Sequence, residues 1–134
     1  MRKRVVVYAV REDGLLVFDH RDHPEAGTQV PAGGIEPGED MIDAVRREVL
    51  EETGVTVTAE PTFLGVHEHE DGVGQPTRSH FFVVDAPEGL PLSWEHVVGG
   101  EGEDAGMTFV CRFDPLPTLW PQQALFLPRR PTTR

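Results

Sequence analysis

The stretch "QVPAGGIEPGED" (29–40) holds two prolines and three glycines in twelve residues, and it constrains the fold more than any other part of this chain. Proline withholds a backbone donor and fixes φ, while glycine opens conformations barred to other residues, so neither helix nor ladder is expected to run through it. It reads as irregular backbone. At Asp40 the pattern changes: Met41, Ile42, Val45 and Val49 share one helical face, and Gly54 supplies the stop after Thr53. The helix carries an unusual surface. "REVLEETGV" (47–55) sets Glu48 and Glu51 three apart and Glu48 and Glu52 four apart, spacings at which like charges cost roughly 0.2–0.5 kcal/mol per pair. Arg47 is the one cation in that stretch.

Around this unit the chain reads as strands. "RVVVYAV" (4–10) is β-branched on both faces, as expected of a strand covered on both sides. "EDG" (12–14) is a turn signal, and "LLVFD" (15–19) is its expected hairpin partner. After the helix come an extended stretch interrupted at Pro61, a strand in "SHFFVVDA" (79–86) and a short extended piece near Trp94–Val98. A last strand lies in "MTFVCRFDPL", and a short helix begins at Pro121. Strands on both sides of a helix in a chain of 134 residues predict one α/β domain over 1–127, a mixed sheet covered by helices. "PRRPTTR" (128–134) reads as a frayed basic tail.

A formal charge of −11 argues against a nucleic-acid polymer or an anionic membrane as a general partner, since both prefer basic surfaces. An anionic small molecule remains admissible where a cation mediates the contact. Cys111 is the only cysteine and sits in an apolar run, so a buried thiol is expected rather than a nucleophile. The apolar run after the basic N-terminus is too short for a secretory signal or a span, which makes the cytoplasm the default compartment and a monomer or homodimer the expected state.

A crowd of carboxylates on a helix is usually a solvated face. Here it follows a glycine loop whose backbone can approach a ligand closely, and several hard oxygen donors suit Mg²⁺ or Mn²⁺ rather than zinc. Gly33, Glu39, Arg47, Glu48, Val49, Glu51, Glu52, Gly54 and Val55 fit the pattern G-x5-E-x7-R-E-U-x-E-E-x-G-U, U being aliphatic. Seven fixed residue types would coincide by chance on the order of 10⁻⁷ per window. The segment 33–55 thus resembles the Nudix box.

That resemblance implies an α/β/α sandwich around a mixed sheet, with the box as loop, helix, loop. It also implies Mg²⁺- or Mn²⁺-dependent hydrolysis of a small nucleoside diphosphate linked to another group, or of a related nucleotide pyrophosphate. Glu48, Glu51 and Glu52 would be metal ligands, joined by the main-chain carbonyl of Ala32, where many relatives have glycine. Arg47 would hold a carboxylate in place, and Glu39 would support the loop or a further metal. The base would be Glu51 or Glu52 on the box helix, or an acid of "GGEGEDAG" (99–106), Glu103 being favoured over Glu101 and Asp104. Neither the proline of the usual ADP-ribose type nor the tyrosine of dinucleoside polyphosphate types stands downstream of the box. A non-catalytic ligand-sensing module of the same fold is the alternative.

Outside the box, Arg21 and Arg78 are candidates for contact with an anionic substrate. His67 and His69 share one face of an extended stretch without an evident third metal ligand. Phe81, Phe82, Trp94 and Trp120 read as core before they read as base-stacking platforms. The repelling glutamates yield the first prediction: millimolar Mn²⁺ or Mg²⁺ raises the melting temperature, as a ligand of the native state does. Glu52→Gln shrinks that rise, and superimposable melting curves in EDTA and in Mn²⁺ would exclude a cation site.

Overall fold

The computed structural model describes residues 1–127, so the tail expected at 128–134 lies outside the described residues. In chain order the elements are β1 (Arg2–Arg11), β2 (Gly14–His20), a 3₁₀ turn (Pro24–Ala26), β3 (Ala32–Gly34) and α1 (Met41–Thr53). They continue as β4 (Thr62–Glu70), β5 (Pro76–Asp85), β6 (Ser93–Val97), β7 (Thr108–Asp114) and α2 (Pro121–Ala124). The strands form one mixed sheet in the order β4-β5-β1-β2-β7-β6, with β3 paired to β1. β1 runs parallel to β5 from Arg2↔Thr77 to Val10↔Asp85; the other pairings are antiparallel.

The alternation in β1 builds two cores. Val5, Val7 and Ala9 face α1 and pack with Val45, Val49, Phe82, Phe109 and Cys111. Val6 and Tyr8 face the other way with Val17, Val30 and Phe81, under Leu119, Phe126 and Leu127 of the C-terminal segment. The sheet is therefore covered on both faces, as an α/β/α sandwich requires. The second covering is thin, since α2 is a single turn. Among the described residues no helix is long and apolar enough to cross a membrane.

Two expectations change. The β1–β2 hairpin pairs only at its turn, Val10↔Leu15 and Arg11↔Gly14, after which β2 diverges to pair with β7. The proline- and glycine-rich segment fills the gap, and it is not irregular throughout. Gln29 exchanges backbone hydrogen bonds with Phe18 at 2.9 and 3.0 Å, Val7 N–H donates to Pro31 O at 2.9 Å, and Ala32–Gly34 pairs with Arg4–Val6. A buried backbone must place its donors and acceptors, and two diverging strands offer partners on both sides. Gly38, at φ +75°, makes the turn that ends the segment.

Asp40 caps α1 by accepting from Ile42 N–H at 3.2 Å. At the other end Gly54 adopts φ +79° and donates to Leu50 O at 2.9 Å. The remaining orphan carbonyls find partners on β6 and beyond. Glu51 O accepts from Gly99 N–H at 2.9 Å and from His96 Nε2 at 3.0 Å, and Thr53 O from the Trp94 indole at 2.8 Å. The buried arc of α1 is rotated from the apolar one: Glu48 and Glu52 are buried with Ala44, Val45 and Val49, while Met41 and Ile42 are half-buried. Covering by β3 accounts for the rotation.

Gly54→Ala would put a methyl group 2.8 Å from His96 Nδ1 on left-handed backbone. It is expected to cost at least about 1–2 kcal/mol in urea unfolding. A variant as stable as the parent would mean that the helix end can relax away from His96.

Candidate active site

Arg47 sits at the centre of the box. Its Nε and Nη2 donate to the two Glu39 oxygens at 2.8 and 2.9 Å, a two-pronged grip. Nη1 donates to Glu48 at 2.8 Å and to Glu51 at 3.3 Å, and Nη2 also reaches Gly34 O at 2.8 Å. One guanidinium thus ties the turn, β3 and α1 together. Glu39 stands behind Arg47 and also accepts from Glu36 N–H at 3.0 Å, which makes it a support of the loop.

β3 lies hard against the acids. A methyl group on Gly33 would overlap the Glu48 carboxylate, so only glycine lets strand and helix approach this closely. Ala32 N–H donates to Glu52 Oε1 at 2.9 Å. In an extended strand the N–H and C=O of one residue point to the same edge, so the Ala32 carbonyl is turned toward that side as well. Ala32 needs no positive φ, and its departure from glycine is accommodated.

Burial sets the electrostatics. The Glu48 carboxyl is pushed up to about 7, chiefly by desolvation, with Glu51 adding to the rise and Arg47 opposing it. Desolvation also raises Glu52 well above the usual carboxylate range; the Ala32 hydrogen bond opposes this, and the charges of Glu48 and Asp104 reinforce it. Glu39 is held low by its bonds to Arg47. The site buries more carboxyl groups than Arg47 can neutralise, and in the absence of a further cation two of them are driven toward the protonated form.

Arg47, Glu48, Glu51, Glu52 and the strand Ala32–Gly34 line a cleft of about 530 Å³ that also receives Glu36, the loop 98–105 and, from β1, Arg2 and Arg4. The glycine-rich loop that carries Glu101, Glu103 and Asp104 is pinned at its base: Gly106 N–H donates to Val98 O at 2.9 Å and Val98 N–H to Met107 O at 2.8 Å. Gly100, at φ +79°, lies against the Glu51 carboxylate, where a Cβ would sit 2.6 Å away. Glu101, Glu103 and Asp104 all border the cleft. Glu103 is exposed and Asp104 half-buried, and Asp104 is the loop acid whose charge bears on Glu52.

Other expected contacts lie elsewhere. Arg21 pairs with Asp22 at 3.2 Å and Glu95 at 3.6 Å, and Arg78 with Glu68 at 2.7 Å; neither lines the cleft. Arg2 and Arg4 are the residues that sequence reading missed. The signal was available: three basic residues at 2–4 precede the buried valines, and strand alternation carries Arg4 onto the inner face with Val6. Burial lowers the Arg4 pKa from its ordinary value, and its Nε is buried with no partner among the described residues.

Among the described residues no three His, Cys, Asp or Glu side chains form a ready ligand sphere, and Arg47 holds oxygens of both Glu48 and Glu51. The donor chemistry nonetheless fits a hard divalent cation: carboxyl oxygens and a carbonyl, partly buried, with more acids than Arg47 neutralises.

A Nudix domain model matches residues 1–129, and the chain belongs to that family. Among solved structures it is similar to a MutT Nudix hydrolase from Burkholderia pseudomallei, with TM-score 0.67 and 23% identity over 94% of this chain and 95% of that one. It is also similar to a Nudix hydrolase from Nitrosomonas europaea, with TM-score 0.61 and 23% identity over 84% and 72%. These likenesses show the fold. Among curated proteins it is 54% identical over 57 residues to an RNA pyrophosphohydrolase of Caulobacter vibrioides, covering 41% of this chain and 33% of that protein. It is 42% identical over 53 residues to the NAD-capped RNA hydrolase NudC of Shigella flexneri, covering 40% and 21%. The matches therefore span a third or less of the curated relatives' length.

The raised Glu48 pKa predicts an inverted pH dependence. The native carboxyl holds its proton up to about 7, whereas an unfolded glutamate releases it near 4.5. The native state binds more protons between those values, so in EDTA this contribution is full below the lower value and is lost as pH rises toward about 8. The melting temperature should fall over that window, and Glu48→Gln should flatten the fall. A flat or rising parent profile would contradict it.

Proposed function

We propose that this domain is a divalent-cation-dependent hydrolase. Its substrate is a nucleoside diphosphate linked to another group, or a related nucleotide pyrophosphate, cleaved at a phosphoanhydride by water attack on phosphorus. The observation that carries this reading is the convergence of Glu48, Glu51, Glu52 and the Ala32 backbone on one cleft, behind a single Arg47 clamp and facing Arg2 and Arg4. Glu48, Glu51, Glu52 and the Ala32 carbonyl would hold Mg²⁺ or Mn²⁺, whose charge offsets that of the phosphates and makes water more acidic.

The protein's own groups do the rest. Arg47 fixes the rotamers of Glu48 and Glu51, so that these carboxylates need not be ordered when the substrate arrives. Arg2 and Arg4 place positive charge on the wall opposite α1, where a departing phosphate gains most from it. A carboxylate removes the proton of the attacking water, a contribution of roughly 10²–10⁴-fold. Glu51 and Glu52 on the helix and Glu103 and Asp104 on the loop border the space where that water would stand. Asp104 gains on Glu103 through its lesser exposure.

The relatives' names support the bond class. NAD is two nucleotides joined through a phosphoanhydride, and a pyrophosphohydrolase acts on the same linkage. Both names also specify RNA, whereas a chain of net charge −11 is poorly suited to hold a long polyanion. Small nucleotide diphosphates are therefore the proposed substrates, with RNA 5′ ends as the competing class.

The test is a panel of nucleoside triphosphates, nucleotide sugars, ADP-ribose, dinucleoside polyphosphates and NAD-capped or triphosphorylated RNA oligomers, run with Mg²⁺ in ¹⁸O-water. Label is expected in a phosphate-containing product. Tight nucleotide binding without turnover of any member would favour the non-catalytic module. In the same assay, replacing the base (Glu103→Gln or Asp104→Asn) lowers kcat by roughly 10²–10⁴ while metal-induced stabilisation persists. Glu51→Gln impairs both. Full turnover in both loop variants would assign the base to α1.

A further inference from the structure

β6 presents two side-chain donors to the last turn of α1. Trp94 and His96 are two apart and both face the helix, while Ser93, Glu95 and Val97 are exposed. The Trp94 indole donates to Thr53 O at 2.8 Å, and His96 Nε2 lies 3.0 Å from Glu51 O. A carbonyl only accepts, so Nε2 of His96 carries the proton. The ring reaches that oxygen because Gly54 has no Cβ; one placed there would stand 2.8 Å from Nδ1.

The same Glu51 carbonyl accepts from Gly99 N–H at 2.9 Å, the only hydrogen bond between the loop 98–105 and α1 among the described residues. One residue on, Gly100 lies against the Glu51 carboxylate. Beyond it the loop closes on itself, with Ala105 N–H donating to Gly102 O at 3.2 Å and Met107 N–H to Asp104 O at 3.0 Å. Glycines at 99, 100, 102 and 106 leave the backbone many conformations, and the ladder at Val98 holds the base of the loop without fixing its tilt. The Glu51 carbonyl therefore sets how the loop acids stand over the helix acids. His96 is the side chain that grips that carbonyl from the strand.

We propose that His96 is a positioning residue: through the Glu51 main chain it locks the end of β6 to α1, and so fixes Glu103 and Asp104 relative to Glu48, Glu51 and Glu52. The kinetic consequence rests on the hydrolase reading given above. His96 does not line the cleft, so it acts through its neighbours rather than on the reacting atoms. Trp94 is the natural control, since it joins the same strand to the same helix turn at a carbonyl that the loop does not share.

Amide exchange reads the lock without any substrate. In metal-free protein, His96→Ala should speed exchange of the Gly99 amide at least about tenfold and spare Ala44, at the far end of the helix. Trp94→Phe, which keeps a ring but no donor, should leave Gly99 unchanged. Gly99 exchange unmoved in His96→Ala, or a rise shared equally by Ala44, overturns the inference.

On whichever panel substrate the parent cleaves, His96→Ala should lower kcat at least about tenfold, with KM and the Mn²⁺-induced rise in melting temperature retained. His96→Gln, whose amide Nε2 donates from nearly the same point, should recover most of the loss, and the shorter His96→Asn should not. Trp94→Phe should keep kcat within about twofold. In whichever background, Glu103→Gln or Asp104→Asn, has lost the base, adding His96→Ala should cost less than about threefold more, since both changes act through one loop. Full kcat in His96→Ala, or a loss that adds in full to both loop variants, overturns the positioning role and leaves the reading of the cleft intact. A parent that cleaves no member of the panel overturns that reading instead, and the exchange of Gly99 then decides for or against the lock.

Discussion

The site depends on one planar cation. Arg47 reaches Glu39, Glu48, Glu51 and the Gly34 carbonyl at once, which requires several donors in a fixed fork. A lysine has the charge but not the geometry. Such half-buried ion pairs add little net stability, because desolvation offsets much of the attraction. Their effect is positional: three segments distant in function, the turn, the short strand and the helix, keep one mutual arrangement. Removing the guanidinium would leave buried carboxylates that either take up protons or move apart.

The second constraint is steric. β3 lies along β1 in the gap left where β2 diverges, and its backbone is saturated on the β1 side by Val5 and Val7. Its other edge has nowhere to face but α1. Gly33 then sets the distance, since any side chain there would push the helix, and Glu48 with it, out of the cleft. The same closeness desolvates Glu48 and Glu52. Sheet topology, a missing Cβ and a raised pKa are thus one cause followed through three levels.

Much of this was legible in the chain. The helix and both its caps followed from Asp40, the apolar periodicity and Gly54, and the acid spacing marked the side that would matter. The strand at 32–34 was not legible, because proline and glycine usually break ladders and local preference cannot foresee a gap between β1 and β2. Arg21, between the first hairpin and the box, and Arg78, at the start of a strand, were expected to meet an anionic substrate, but each meets a carboxylate on its own surface. Arg4 was overlooked since its place at the cleft arises from the first strand coming near the charges of a helix more than forty residues later. Trp120, expected in the core, is exposed because α2 is too short to bury it.

The parallel pairing of β1 with β5 has a kinetic meaning. Residues 2–10 find their partners at 77–85, and β2 finds β7 across a still longer stretch. Contacts so remote in sequence form slowly, because long loops close before anything rewards them. The helix, by contrast, is local, and its Arg47–Glu51 pair needs no help from the rest of the chain. A nascent or partly folded molecule can therefore display the acidic helix without the walls that dehydrate it. If a cation binds as proposed, its tight capture would mark the moment when the first strand and the 98–105 segment have both docked, and metal affinity would then be a readout of completed folding.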